Sequence, residues 1–169
     1  KSLASERALT FIPPYDHPLV IAGQGTVGLE ILEQANSEID AIFVPVGGGG
    51  LVSGIGAYIK EVSPTIKLIG VEPAEAASMT AALDSGKRVS LEEIGIFADG
   101  AAVRQVGKEN FLLAQRHVDE MLTVTIDEIC AAVKDIFEDT RSIAEPAGAL
   151  SLAGVKQYIS KYQIKEKHF

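Results

Sequence analysis

Ile39-Asp40-Ala41-Ile42-Phe43-Val44-Pro45-Val46-Gly47-Gly48-Gly49-Gly50-Leu51 joins a short, β-branched, nearly all-apolar run to four consecutive glycines. Residues 39–46 read as a strand covered on both faces, since a half-solvated strand would alternate polar and apolar side chains. Behind the glycines, apolar residues at 51, 52, 55, 58, 59 and 62 form a helical stripe with Lys60 and Glu61 outside it, ended by Ser63-Pro64. A second compact apolar run over residues 66–71 leads into Glu72-Pro73, and residues 74–83, Ala-rich with Met79 and Leu83, predict a helix stopped by Asp84-Ser85-Gly86. Strand, helix, strand, helix with short connections predicts an α/β fold, a parallel and doubly wound sheet with helices on both faces and right-handed crossovers.

Working outward, Leu3, Ala4 and Ala8 read as the tail of a helix, followed by an apolar run over 9–12 that Pro13-Pro14 stops. From Gly25, the spacing of Val27, Leu29, Ile31, Leu32 and Ala35 predicts a helix of about three turns, closed by Asn36-Ser37. Residues 86–107 carry four glycines without a sustained period and read as a long irregular segment with one short helix near 90–93; long loops in compact domains are usually functional. Then come a helix over 108–118, a strand over 121–124 and a helix over 125–140 opened by a Thr125-x-x-Glu128 capping box. A last helix runs from Glu145 or Pro146 to Tyr158. No internal repeat or low-complexity tract divides the chain.

The 169 residues carry 15 Lys+Arg against 23 Asp+Glu, and 47% are hydrophobic. That composition can bury one sizeable core. A net charge of −8 without a basic run argues against nucleic acid as partner. The single cysteine, Cys130, allows neither an internal disulfide nor a cysteine-based metal cluster, which fits a reducing compartment. No stretch approaches the roughly 18 to 20 apolar residues of a membrane helix. The first residues lack an initiator Met and carry acid too early for a signal peptide, so the expectation is a chain entered mid-domain.

The glycine run carries the strongest chemistry. Glycine lets a backbone approach a ligand closely, and a helix N-terminus presents unpaired N–H groups and a positive dipole end, so an anion, most simply a phosphate, is expected there. A plain turn needs one or two glycines, and each further one costs up to about 1 kcal/mol against Ala. No Gly-Lys-Ser/Thr follows, which disfavours a nucleoside triphosphate. Gly23-Gln24-Gly25-Thr26-Val27-Gly28 matches a dinucleotide fingerprint, but the preceding His17-Pro18-Leu19-Val20-Ile21-Ala22 is too short and Pro-led for a central strand. The residue twenty positions past Gly28 is Gly48, not an acid.

Asp99 and Glu145 stand amid small residues at loop-to-helix junctions, as cofactor contacts or as N-caps, and spacing alone favours caps. Glu72-Pro73-Ala74-Glu75 could offer a cation one carboxylate plus carbonyls, but reads better as a solvated helix start. His17, His117 and His168 form no pair with ligand spacing. Cys130, on a stripe with Ile129, Val133 and Phe137, reads as core.

Taken together, Thr10-Phe11-Ile12-Pro13-Pro14, Ile21-Ala22-Gly23-Gln24-Gly25-Thr26, Phe43-Val44-Pro45-Val46-Gly47-Gly48-Gly49-Gly50-Leu51, Ile69-Gly70-Val71-Glu72-Pro73, Phe97-Ala98-Asp99-Gly100 and Ala144-Glu145-Pro146-Ala147-Gly148-Ala149-Leu150 resemble the threonine ammonia-lyases, or threonine deaminases. The resemblance covers nearly the whole chain, and Asp135-Ile136-Phe137-Glu138-Asp139-Thr140-Arg141 looks more like the biosynthetic, isoleucine-pathway branch than the catabolic one or serine racemase. It implies the larger domain of fold type II pyridoxal-phosphate enzymes. Gly47, Gly48, Gly49, Gly50 and Leu51 would then cradle the phosphate of pyridoxal 5′-phosphate through backbone N–H groups. Gly100, with Asp99, would lie beside the cofactor ring, and Glu145 near cofactor and substrate. Relatives that bind a divalent cation use a carboxylate at 72, a carbonyl at 76 and an acid at 78; with Ser78 here, no metal is expected.

The family's Ser-Phe-Lys-x-Arg-Gly-Ala, Ser/Thr-x-Gly-Asn-His-x-Gln-Gly and Ser-Gly-Ala/Gly-Asn motifs do not occur. The resemblance therefore implies that residues 1–169 are a partial catalytic domain without the Schiff-base lysine or a C-terminal regulatory domain. No catalytic residue is expected in the chain, which should be inactive alone. The intact enzyme would dehydrate and deaminate L-threonine to 2-oxobutanoate as a homo-oligomer in the cytoplasm, or in the plastid of a plant. The rivals are serine dehydration or racemisation and a non-catalytic phosphate-ligand module.

Overall fold

The computed structural model describes residues 2–165 and 167–169. Helices α1 (Ser2–Glu6) and α2 (Pro18–Gln34) precede strand β1 (Ala41–Pro45), and α3 (Gly50–Val62) leads to β2 (Lys67–Pro73). Then follow α4 (Ser78–Ser85), α5 (Lys108–His117), β3 (Glu120–Val124), α6 (Ile126–Thr140) and α7 (Leu150–Tyr162). The strands are parallel and advance in the order β1-β2-β3, with Ala41 opposite Lys67, Pro45 opposite Val71, Ile69 opposite Glu120 and Pro73 opposite Val124.

The two-residue period of the strands sorts their side chains into two cores. Phe43, Ile69, Val71, Leu122 and Val124 pack with Ile129, Leu150 and Ala153 of α6 and α7. Ile42, Val44 and Leu68 pack on the other side with Val52, Ile55 and Ile59 of α3, Met79 of α4 and Phe111 of α5. Helices thus cover both faces, as the unalternating apolar strands required. Among the described residues no helix is long and apolar enough to cross a membrane.

Several local expectations change, among them the last helix, which runs over Leu150–Tyr162 behind a 3-10 turn at Ala147–Ala149 rather than from Glu145 or Pro146 to Tyr158. Helix α2 begins at Pro18, not Gly25: proline suits a first helical turn, and the N–H of Leu19 donates to Nδ1 of His17 at 3.2 Å. The Gly-x-Gly-x-x-Gly match therefore lies inside a helix. A Cβ on Gly25 would come 3.2 Å from the Gly54 carbonyl oxygen and one on Gly28 3.3 Å from the Tyr58 ring, so these glycines serve the close packing of α2 on α3. Helix α4 starts at Ser78 because Ala74–Ala76 is a 3-10 turn. Residues 90–93 form no helix; the Leu91 N–H donates to the Arg104 carbonyl and the Arg104 guanidinium to the Glu92 carbonyl, strapping two irregular segments together. Finally, Cys130 is exposed, because α6 buries Ile129 and Ala132 with Val133 and Ile136 beside them, which turns position 130 and Phe137 outward.

Candidate functional site

A cavity of about 460 Å³ opens at the carboxyl ends of the strands, where α/β sheets place their ligands. Gly47, Gly48, Gly49, Gly50, Leu51, Gly100 and Glu145 all line it, from three segments far apart in sequence. Pro14, Tyr15, Gln24 and Ala147 complete much of the wall. Asp99 does not line it; its Oδ1 accepts the N–H of Gly100 at 3.0 Å. Neither acid caps a helix, since the short turns Asp99–Ala101 and Ala147–Ala149 have no side-chain cap. Glu145 is exposed, with Oε1 3.2 Å from where a Cβ on Gly100 would stand.

The chain leaves β1 with the Val46 N–H donating to the Val71 carbonyl and enters α3 through Gly49, whose φ of +92° is left-handed backbone. Between these points, none of the N–H groups of residues 47–52 has an acceptor among the described residues; the next, on Ser53, donates to the Gly49 carbonyl at 3.0 Å. Gly48, Gly49 and Gly50 are nonetheless buried. Buried, unpaired donors at the positive end of a helix are the arrangement an anion completes.

The glycines are needed for a reason the sequence did not show. A Cβ on Gly47 would come 3.0 Å from the Ala101 Cα, one on Gly48 would fall on the Tyr15 ring (2.5 Å from Cδ1), one on Gly49 2.7 Å from the Met79 Cε, and one on Gly50 3.1 Å from the Tyr15 Cβ. The missing side chains make room for neighbouring protein, Tyr15 and Ala101 of the cavity wall among it, and leave the N–H groups of the loop without an acceptor among the described residues.

Two further residues, absent from the sequence reading, build this backing. Asp16 caps α5 from a loop more than 90 positions away: Oδ2 accepts the Lys108 N–H at 2.7 Å, and Oδ1 accepts those of Glu109 at 3.0 Å and Asn110 at 3.4 Å. Asn110, buried, donates from Nδ2 to the carbonyls of Gly48 at 3.0 Å and Tyr15 at 3.2 Å, while its Oδ1 has no partner. Leaving a buried acceptor unpaired costs on the order of 1–3 kcal/mol. Its one sequence signal is an amide on the same helix face as Phe111 and Ala114.

Glu72 is fully buried rather than a solvated helix start. Its Oε1 accepts the Met79 N–H at 2.7 Å, and its Oε2 accepts the Thr80 N–H at 2.8 Å and hydroxyl at 2.7 Å, so the carboxylate caps α4. Burial pushes its pKa above the ordinary 4.5, against the opposing pull of those donors. Both oxygens that a cation would need are engaged. Ser78, where cation-binding relatives would carry an acid, is buried with no partner for its hydroxyl.

The cavity can hold an anionic group by its backbone and present one carboxylate, Glu145, to whatever lies above it. Among the described residues, no lysine, histidine or cysteine lines it.

Residues 1–168 match the family described as pyridoxal-phosphate dependent enzyme. A mitochondrial threonine dehydratase of Saccharomyces cerevisiae is 62% identical over 160 residues, covering 94% of this chain and 28% of the yeast protein. The processed form of threonine deaminase isoform 2 from Solanum lycopersicum superposes with a TM-score of 0.95 at 46% identity, over 99% of this chain and 48% of that one. Serine racemase from Dictyostelium discoideum superposes with a TM-score of 0.85 at 37% identity, over 97% and 53%. The chain thus spans less than a third of the yeast relative's length.

Proposed function

Because the chain belongs to the family of pyridoxal-phosphate dependent enzymes, we propose that its cavity holds pyridoxal 5′-phosphate and that the longer protein dehydrates and deaminates L-threonine to 2-oxobutanoate and ammonia. The observation that carries the cofactor reading is the row of unpaired N–H groups over residues 47–52 at the start of α3, beside a cavity sized for a small ligand. These residues fit a phosphate dianion: Gly47, Gly48, Gly49, Gly50 and Leu51 would hold it without a side chain in the way. Gly100 would stand beside the ring, and Glu145 near the cofactor and the substrate, on the same wall. When bound, the cofactor supplies an electron sink for the charge that develops as an amino acid loses its Cα proton. The chain's own share is to fix the phosphate, orient the ring and present the Glu145 carboxylate.

Threonine as substrate is supported by the yeast and tomato relatives; the serine racemase likeness is weaker in both identity and TM-score. Residues 1–169 take the part of the larger, phosphate-holding domain of a homo-oligomeric enzyme. The lysine that would bond the cofactor and any regulatory domain belong to the remaining length of such an enzyme. For the compartment, the yeast relative adds the mitochondrion to the cytoplasm and the plastid.

Calorimetric titration of the 169-residue chain with pyridoxal phosphate and with inorganic phosphate tests the cofactor reading. Binding that is lost in Gly48→Val supports it; no binding by the parent, or equal binding by the variant, overturns it. Added threonine should yield no 2-oxobutanoate above the free-cofactor background. One stoichiometrically trapped lysine after borohydride would show that the bonding lysine lies in this chain after all.

A further inference from the structure

The donor loop of the cavity is held from behind by one buried side chain. Asn110 spends both protons of its amide on carbonyls, those of Gly48 and Tyr15, and the Gly107 N–H adds a second bond to the Gly48 carbonyl at 3.1 Å. Turning the amide over would set its oxygen against two carbonyl oxygens, so its orientation is determined by its surroundings. The Gly48–Gly49 peptide is trans. In a trans peptide the N–H points opposite to the carbonyl. With the Gly48 carbonyl drawn toward α5, the Gly49 N–H is aimed away from α5, and Gly48 and Gly49 line the cavity while Asn110 does not. Asp16 fixes α5 in turn by taking the N–H groups of Lys108, Glu109 and Asn110. The unpartnered Oδ1 shows that only the donor half of this amide is satisfied by the fold.

We propose that Asn110 is the positioning residue of the anion site: by holding the Gly48 carbonyl it aims the Gly49 N–H at a phosphate monoester, without touching the ligand itself. This rests on the phosphate reading of the cavity. Asn110 backs the loop and is absent from the cavity wall, so its effect must travel through the peptide plane.

The test follows backbone amides of the ¹⁵N-labelled 169-residue chain during titration with inorganic phosphate and, separately, pyridoxal phosphate. In the parent, the Gly49 amide proton should move downfield with either ligand. Asn110→Leu removes both donors at similar shape, and Asn110→Asp places an acceptor against the two carbonyls. Both should bind at least about tenfold more weakly, the loss of one hydrogen bond to a charged oxygen, and lose the Gly49 shift while sheet amides keep theirs. Equal affinity with an unchanged Gly49 shift in a folded variant overturns the proposal and leaves the phosphate reading standing. Should both variants fail to fold, the parent decides: loop amides that move while Gly49 does not also overturn it. If no amide of residues 47–52 moves in the parent, the phosphate reading fails and this proposal with it.

Discussion

Gly54 sits where α3 crosses α2, and Gly54→Ala tests whether that crossing requires glycine. The added Cβ would fall on the Ile21 carbonyl oxygen, 2.7 Å from the Gly25 nitrogen and 2.8 Å from the Gln24 carbonyl carbon. All three are backbone atoms of α2, which have no rotamer through which to yield. Lengthening the 2.7 Å approach to an ordinary 3.4 Å would push α2 off by about 0.7 Å, and clearing the still closer Ile21 oxygen by more, which loosens Ile21 from the crossing. Overpacking of this kind costs about 1–3 kcal/mol, more where backbone must move. Alanine's helix propensity returns about 1 kcal/mol. A net loss of about 2 kcal/mol is expected, or roughly 4–8 °C in melting midpoint for a chain of this size. Gly23→Ala is the control in the same helix pair: nothing stands within 4 Å of its Cβ, so it should gain up to about 1 kcal/mol. Urea denaturation followed by circular dichroism reads both, with unchanged slopes. Gly54→Ala as stable as the parent would refute the packing account of the glycine fingerprint.

Glu72→Gln should remove a pH dependence. A buried carboxyl whose folded pKa is raised binds its proton more tightly folded than unfolded, so its contribution is complete below the ordinary 4.5 and fades as pH rises through the folded value. The parent's stability advantage over the variant should therefore shrink from pH 4.5 upward; a constant difference would contradict the burial argument. Thr125→Ala should cost about 1 kcal/mol by removing the cap that accepts the Glu128 N–H and donates to its carboxylate at 2.9 Å. Partial burial pushes the Glu128 pKa up, but the Thr125 N–H and hydroxyl and the Gln157 amide outweigh it and hold it below 4.5; the penalty should accordingly be full above that pH and fall away in acid. Millimolar Mg²⁺ or Ca²⁺ should leave the melting midpoint unchanged, since both Glu72 oxygens are engaged by α4; a saturable rise lost in Glu72→Gln would reveal a cation site.

The strands and their layers were legible because burial on both faces writes itself as uninterrupted apolar runs, as in residues 39–46 and 66–71. The candidate anion site was half legible. Four glycines after such a strand pointed to a donor loop, but not to what fills the space behind it. Tyr15, Asp16 and Asn110 escaped because they act on residues 62 to 95 positions away, or, for the Tyr15 ring on Gly48, in another loop, beyond the reach of any local spacing. Glu72 was misjudged as solvated because a carboxylate beside a proline carries no local mark of burial. The two glycine-bearing helices were the signal not used: Gly25 and Gly28 on one, Gly54 on the other, point to a close crossing once both are read as helices.

The Asp16 clasp also sets an order of events during synthesis. The loop proposed to take an anion is complete by residue 50, but the helix it leans on needs a cap made 94 positions earlier than Asn110. At ribosomal speeds of about 5–20 residues per second, the nascent chain carries Asp16 without its partner for roughly 5–20 s. Until α5 emerges, the glycine loop lacks the bonds that Asn110 and Gly107 make to the Gly48 carbonyl. The bond from Asn110 to the Gly48 carbonyl can therefore form only after residue 110 has left the ribosome, and a translational pause placed before that point would lengthen the interval without it.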